Sequence, residues 1–312
     1  MSPYFSIIIP LFNKENEIVN TLKSVLDQSF QDFEIVLVND GSTDQSLFKA
    51  QSIKDERIYI FSTENKGVSH ARNFGIKMAK ADYIALLDAD DIWFNHHLID
   101  LKNLIEHFPN CGMYCKAYEK DYFRKHTVDA KFYNLPNGFR GIVPDYFENS
   151  LVDSIGWTSA LAIPQSTLET VGNFDETILS GQDTDLWIRI AVQLPVAFSS
   201  QVSVKRCFLE KNHLSKSEKV IERLKVLNKY LELEKTNYSL KKYMDFNRLA
   251  FAIEQKSRGN EELFKEMMTF IDRSNLNLKR RILTYLPANF LIKAKMLQKS
   301  LVERGLYFSP FR

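Results

Sequence analysis

The sequence predicts an α/β protein built on a doubly wound, mostly parallel sheet, with a helical extension at its C-terminal end. Short β-branched apolar runs alternate with helically spaced apolar positions through the first third of the chain, the pattern of successive βα units. Three of those runs end in polar tips, at Pro10 to Asn13, Asn39-Asp40 and Asp88 to Asp91. From about Glu218 onward the strand pattern disappears and helical periodicity takes over.

Tyr4 to Ile9 is a strand stopped by Pro10; after the loop Asn13 to Glu17, residues Ile18, Leu22, Val25 and Leu26 have helical spacing. Phe33 to Asp40 repeats the strand, and Gly41-Ser42-Thr43-Asp44 supplies a turn and a helix cap. Arg57 to Phe61 makes a third strand, Gly67 to Lys80 a third helix and Tyr83 to Leu87 a fourth strand. Leu98, Leu101, Leu104, Ile105 and Phe108 form a helical core stripe. Between Cys111 and Pro144 aromatic residues increase, and strands near Gly112 to Tyr118 and Val128 to Tyr133 are expected to run antiparallel and cover the crevice. Thr158 to Ile163 is a strand stopped by Pro164, Ser166 to Val171 a short helix, and Gly181 opens a helix whose apolar face carries Leu186, Trp187, Ile190 and Ala191. Val220 to Leu233 and Tyr243 to Phe270 read as helices, the second broken at Ser257 to Asn260. The expected division is therefore residues 1–217 and a helical region 218–312.

With 312 residues, 45% apolar and 26% charged, the composition is that of a globular protein with a substantial core. A net charge of +2 supplies no general attraction to nucleic acid. Three cysteines are too few for a disulfide framework and form no zinc pattern, which favours a reducing cytoplasm. The start lacks a secretory pattern and no run of about 18 apolar residues occurs, so neither export nor a membrane span is expected.

The apolar strand Tyr83 to Leu87 runs straight into Asp88-Ala89-Asp90-Asp91. The carboxyl ends of strands in open α/β sheets are where ligands bind. Crowded carboxylates suit a hard divalent ion that keeps some waters and grips a diphosphate, although Asp is also common in solvated turns and caps. Neither Gly-x-Gly-x-x-Gly after the first strand nor Gly-x-x-x-x-Gly-Lys-Ser/Thr is present, so diphosphate charge would have to be met by a metal. Arg72, near the start of the third helix, could bridge phosphate and carboxylate or simply form a surface ion pair. Asp183 and Asp185 open the later helix, where acids favour the macrodipole and a rigid base could also face the crevice.

Ile9-Pro10-Leu11-Phe12-Asn13, Val38-Asn39-Asp40-Gly41-Ser42-Thr43-Asp44, Asn65-x-Gly67-x-x-x-Ala71-Arg72-Asn73-x-Gly75, Leu87-Asp88-Ala89-Asp90-Asp91 and Gly181-Gln182-Asp183-x-Asp185-Leu186-Trp187 occur in this order. Together they resemble the inverting family 2 glycosyltransferases of the GT-A fold, over roughly residues 4 to 217. The resemblance implies a non-processive bacterial enzyme of hexosyl- or N-acetylhexosaminyl-transferase type, acting on a UDP-sugar in surface polysaccharide synthesis. It also implies that Pro10, Asn13, Glu15 and Asp40 line the base and ribose end of the nucleotide, with Arg72, Asp88 and Ala89 nearby. Asp90 would hold Mn or Mg, Asp183 would be the base, and His213 in Lys211 to Ser215 would be an extra metal ligand. Gln182 stands where the family usually has Glu, and the later Gln-x-x-Arg-Trp motif of processive members is missing.

A sugar nucleotidyltransferase is the rival enzyme, but Leu11-Phe12-Asn13-Lys14 lacks the glycines its loop needs. A non-catalytic sugar-nucleotide binding protein is the rival from another class. From Lys279 to Arg312, eight basic residues stand against Glu303, a local charge of +7. Phe290, Ala294, Leu297 and Leu301 make an apolar stripe among lysines, the pattern of an interfacial helix at the inner face of the cell membrane. Alternatively the stripe packs on the catalytic part or on a second copy in a homodimer.

Overall fold

The computed structural model describes residues 2–122, 126–208 and 218–303. Strand β1 (Phe5–Leu11) leads through α1 (Ile18–Leu26) to β2 (Phe33–Asp40), α2 (Ser46–Ser52), β3 (Ile58–Thr63), α3 (Val68–Met78) and β4 (Tyr83–Leu86). After the acidic turn come β5 (Ile92–Trp93), α4 (His97–His107), β6 (Met113–Tyr122), β7 (His126–Asp129), β8 (Arg140–Ile142) and α5 (Tyr146–Asn149). The chain continues through β9 (Leu161–Pro164), α6 (Gln165–Val171), α7 (Gln182–Ala191) and β10 (Val196–Phe208). The later helices are α8 (Glu218–Lys229), α9 (Leu231–Glu234), α10 (Tyr238–Ser257), α11 (Glu261–Thr269), α12 (Leu278–Tyr285) and α13 (Ala288–Glu303).

The strands form one sheet in the order β3-β2-β1-β4-β9-β6-β10-β5, with β7 on β6 and β8 on β10. The β3-β2-β1-β4 half is parallel; beyond it β9 runs antiparallel to both neighbours while β6 and β10 are parallel. Strand order reverses between β1 and β4, so a crevice opens where their carboxyl ends part, the switch point at which such sheets bind ligands. Residues of β1 alternate between the two faces: Ile7 and Ile9 pack with α1 and α4, and Ile8 packs with the layer of α3, α7 and the C-terminal helices. A Cβ on Gly75 would lie 2.5 Å from Ile8 Cγ2, so the absence of a side chain lets α3 lie against β1 at that point.

Two expectations are corrected. The first strand after Cys111 does not cover the crevice: β6 is a ten-residue strand inside the sheet between β9 and β10, while its pairing with β7 is antiparallel as expected. Its lysines conceal this in the sequence: Lys116 and Lys120 are buried but paired with Asp100 and Asp153, both at 2.8 Å, the condition on which buried charge is tolerated. The expected strand to Tyr133 ends at Asp129; beyond it Phe132 packs on Phe198 and the Tyr133 N–H donates to the Asn149 carbonyl at 3.1 Å. Strand β10 escapes the sequence pattern altogether, because serines, Gln201 and basic residues interrupt its apolar run and its register slips between Ser199 and Val204.

The C-terminal helices continue the core layer on one face of the sheet through Leu240, Met244, Phe251, Leu283 and Leu291. Helix α13 packs on α10 with Leu291 fully buried, while Phe290 and Leu297 of the expected stripe stay 62% and 61% exposed. The face that packs is thus not the one the stripe marks.

Candidate active site

The loops after β1 and β2 are laced to each other. Asn13, at φ 52°, accepts the Thr43 N–H at 2.8 Å and donates its own N–H to Ser42 Oγ at 3.2 Å. Glu15 accepts the Gln45 N–H at 3.0 Å, and Asp44 accepts the Glu15 N–H at 3.2 Å. Pro10, half-buried, sits opposite Val38 near the end of the β1–β2 ladder. Asp40 is buried, and its two oxygens accept the Lys66 and Gly67 N–H groups, each at 2.9 Å, so it anchors the entry to α3.

That entry aims Arg72. Its guanidinium is buried, donates from Nη2 to Asp88 Oδ1 at 2.6 Å and lies 5.2 Å from the Phe174 ring. Nε and Nη1 have no hydrogen-bond partner among the described residues, and buried donors left so are costly without an acceptor. An anionic ligand oxygen would supply one. Asp90 is ion-paired with Lys14 from the first loop. Ala89 serves the fold: its methyl is in the core and its carbonyl accepts the Thr21 hydroxyl at 3.0 Å.

Asp91 points inward, accepting from Ser159 Oγ at 2.6 Å, the Cys207 N–H at 2.9 Å and Trp157 Nε1 at 3.3 Å. It is pushed up to about 7, first by burial and then by the negative charges of Asp90 and Asp88. The folded chain therefore keeps a proton that an unfolded Asp releases near pH 3.9, and stability falls as pH rises across that interval. In the presence of chelator, the Tm of Asp91→Asn should decline less between pH 4 and about 7 than that of the parent. Equal slopes in thermal melts would remove Asp91 as the titrating group.

Among the described residues no group of three His, Cys, Asp or Glu side chains converges to hold a metal, and His213 lies outside the described residues. Mg²⁺ is nevertheless usually held by one or two carboxylates together with substrate phosphates and waters, and Asp88 and Asp90 are hard oxygen donors of that kind. Burial is the main cause of the upward push on Asp91, and the negative charges of Asp90 and Asp88 add to it. The residues fit a divalent ion.

The two acids that open α7 have different fates. Asp185 is fully buried and used: it accepts from Arg189 Nε at 2.9 Å and Tyr230 Oη at 2.6 Å and pairs with Lys229 at 2.7 Å, tying α7 to α8. Asp183, half-buried, accepts the Thr184 N–H through Oδ1 at 2.8 Å, and its Oδ2 has no hydrogen-bond partner among the described residues. Gly181 at φ 87° makes the turn that starts this helix, a conformation costly for other residues. Its N-terminal end is joined to the acidic turn by packing: Arg72 lies on Phe174, and Phe174 meets the Trp187 ring edge-on at 6.2 Å. Asn73 holds Phe174 by donating to its carbonyl at 2.9 Å and accepting its N–H at 3.0 Å. On α10, burial pushes the Tyr243 hydroxyl up to about 12, and the charge of Asp183 adds to the effect.

Thus the structure brings Asn13, Glu15 and Asp40 to the laced loops, and Arg72, Asp88 and Asp90 to the acidic turn. The sequence groups Asp91 with Asp88 and Asp90 without showing that it turns inward, and it does not single out Lys14, Ser159 or Phe174. Phe174 lies in the short connection between α6 and α7, and nothing in the sequence there signals that it would carry Arg72.

Residues 6–159 match the family model described as glycosyl transferase family 2. An uncharacterised glycosyltransferase of Rickettsia typhi is 31% identical over 206 residues, covering 65% of this chain and 64% of the relative. Glycosyltransferase GlyG of Streptococcus pneumoniae is 34% identical over 148 residues, covering 44% of this chain and 45% of GlyG. The chain spans less than two thirds of the length of these curated relatives, and 26% of one from Rickettsia bellii. Among solved structures, S. aureus TarS 1–349 in complex with UDP-GlcNAc superposes with a TM-score of 0.67 at 17% identity, over 99% of this chain and 93% of TarS 1–349. At that identity the likeness speaks to the fold.

Proposed function

The chain belongs to glycosyltransferase family 2 through residues 6–159, and on that premise we propose that it transfers a sugar, with inversion, from a nucleoside diphosphate sugar to a hydroxyl of a glycan or lipid-linked acceptor. The observation that carries this reading is Asp183, a carboxylate at a rigid helix start with one oxygen free, beside an Asp185 whose oxygens are already used. Asp183 takes the acceptor proton as the diphosphate leaves from the opposite face of the sugar. Arg72 offers Nε and Nη1 to the diphosphate, while Asp88 fixes its third nitrogen. Asn13, Glu15 and Asp40 shape the loops around the base and ribose. A divalent ion on Asp90, Mn or Mg, supplies positive charge for the leaving diphosphate when bound.

The S. aureus TarS complex with UDP-GlcNAc supports a UDP-sugar as the first donor to try. The test is a panel of nucleoside diphosphate sugars assayed for release of nucleoside diphosphate, with metal and with chelator. Metal-dependent binding without turnover across the panel would favour a non-catalytic binder, and release of pyrophosphate from a nucleoside triphosphate and a sugar phosphate would favour a nucleotidyltransferase.

The proposed setting is assembly of a bacterial surface polysaccharide at the inner face of the membrane, with residues 1–217 as the catalytic part. No helix among the described residues is long and apolar enough to cross a membrane. Contact with the surface is supported by α12 and α13, where Leu278, Ile282 and Tyr285 are exposed together with Phe290, Met296 and Leu297, among lysines and arginines. Basic residues beside an anionic surface contribute roughly 1 kcal/mol each. The chain should therefore bind anionic vesicles and leave them at high salt, and the double substitution Phe290→Asp and Leu297→Asp should abolish co-sedimentation. Removing everything after Asn277 is the poorer test, because Leu283 and Leu291 belong to the core. Unchanged co-sedimentation of the double variant sinks the surface reading and returns α12 and α13 to a homodimer contact.

A further inference from the structure

Between the loop after α5 and the C-terminal helices lies a cavity of about 430 Å³, away from the β1–β4 switch point. Leu151, Phe246, Leu249, Ala250, Ile253 and Leu283 give it an apolar wall. Two cations, Arg280 from α12 and Lys295 from α13, reach into the same space. Neither makes an ion pair among the described residues. The lining carboxylate, Glu254, is engaged by Arg258 at 2.7 Å and Arg223 at 3.6 Å, and its charge reaches Lys295 only from beyond ion-pair distance. Arg280 stacks on Phe246 with its guanidinium carbon 3.6 Å from the ring centroid. Half-burial pulls Arg280 below its ordinary value, and no carboxylate restores it. A desolvated cation without a counter-charge is unfavourable unless an anion joins it, while the apolar wall would gain from being covered. One ligand answers both needs.

The cavity also lies toward the helix that carries the proposed base. Tyr243 lines it, and the Tyr243 hydroxyl feels the charge of Asp183. The Ser150 to Ser154 loop forms the same wall, and a few residues on, a Cβ at Gly156 would meet Trp187 of α7 at 3.2 Å.

We propose that this cavity anchors the acceptor, and that the acceptor is an amphiphile whose phosphate pairs with Arg280 and Lys295 while its apolar stem covers Phe246, Leu249 and Ile253. The acceptor assignment rests on the reading of Asp183 as the base; the binding site does not. A phosphate at Arg280 leaves the stem in the cavity and directs the remainder of the acceptor past Tyr243 toward Asp183.

The test uses the full chain with decyl phosphate below its micellar concentration, and decanol and inorganic phosphate as separate arms. Calorimetry should detect decyl phosphate binding, with each arm alone weaker by on the order of tenfold or more. Arg280→Glu should weaken decyl phosphate on the order of tenfold by replacing an attractive charge-assisted contact with a repulsive one. Ala250→Trp should block the stem, and melting curves of both variants check folding. If the Trp variant does not fold, Arg280→Glu decides alone. Binding that both folded variants retain overturns the site, as does inorganic phosphate binding as tightly as decyl phosphate. An alkyl phosphodiester that carries a sugar beyond its phosphate places hydroxyls where decyl phosphate has none, so it should speed release of nucleoside diphosphate from the donor severalfold in the parent and not in Arg280→Glu. No acceleration in the parent despite binding overturns the acceptor assignment. Decyl phosphate binding in a chain that turns over no donor would leave the cavity standing and remove the glycosyl transfer reading.

Discussion

Asp183→Asn should lose transfer by on the order of 10²-fold to 10⁴-fold, the usual contribution of a positioned general base, while donor binding stays close to that of the parent. The expectation follows from how Asp183 is held. Its Oδ1 accepts the Thr184 N–H at 2.8 Å, a bond that the Asn carbonyl oxygen reproduces, so the helix start is preserved. Its Oδ2 is the oxygen free to take a proton, and in Asn that position becomes an NH₂ that cannot. The neighbouring acid offers no substitute, because Asp185 is buried and already bonded to Arg189, Tyr230 and Lys229. Steady-state kinetics on whichever donor the panel identifies will check this. A variant that keeps most of its transfer activity would show that the base lies elsewhere. Asp185→Asn is the informative companion: it should lower the melting temperature, since it weakens the link between α7 and α8, and any loss of activity should follow the loss of folded protein.

Much of the nucleotide side was legible before any coordinates. The runs around Ile7, Val36 and Ala85 are buried on both faces of a parallel half-sheet, so they read as near-continuous apolar segments, and their polar ends mark the crevice directly. Asp88, Asp90, Arg72 and Asp183 stand out because a strand end and a helix start are local signals. What stayed hidden depends on distant partners. Nothing near Lys116 or Lys120 reveals that Asp100 and Asp153 neutralise them, so β6 looked like cover rather than core. The side chain of Asp91 resembles those of Asp88 and Asp90 in sequence, yet Ser159 and Cys207, 68 and 116 residues away, turn it inward. The stripe on α13 gave the helix correctly but not its packing, because Leu291 meets α10 through an orientation that the lysine pattern does not specify.

Asp90→Ala should weaken nucleoside diphosphate binding only when Mn or Mg is present, and should reduce transfer at least as much as Asp183→Asn, since electrostatic stabilisation of developing charge is commonly the largest single contribution. Asp90 is paired with Lys14, so in the absence of metal its removal has two opposing consequences. It takes away a carboxylate that repels the diphosphate, and it ends the ion pair in which Asp90 offsets the Lys14 charge. Affinity in chelator should therefore equal or slightly exceed that of the parent. With metal, Asp90 would help the parent hold an ion that adds positive charge beside the phosphates, whereas the variant keeps Arg72 and Asp88 but lacks that carboxylate. The gap between the two proteins should open with metal and close with chelator. Calorimetric titration of UDP in both conditions measures that gap directly. His213→Ala, if His213 is the extra ligand, should give a smaller change of the same sign that appears with the metal and vanishes with chelator. A parent and an Asp90→Ala variant that respond identically to chelator would mean that Asp90 holds no ion, and Lys14 would then be left as the cation that meets the diphosphate.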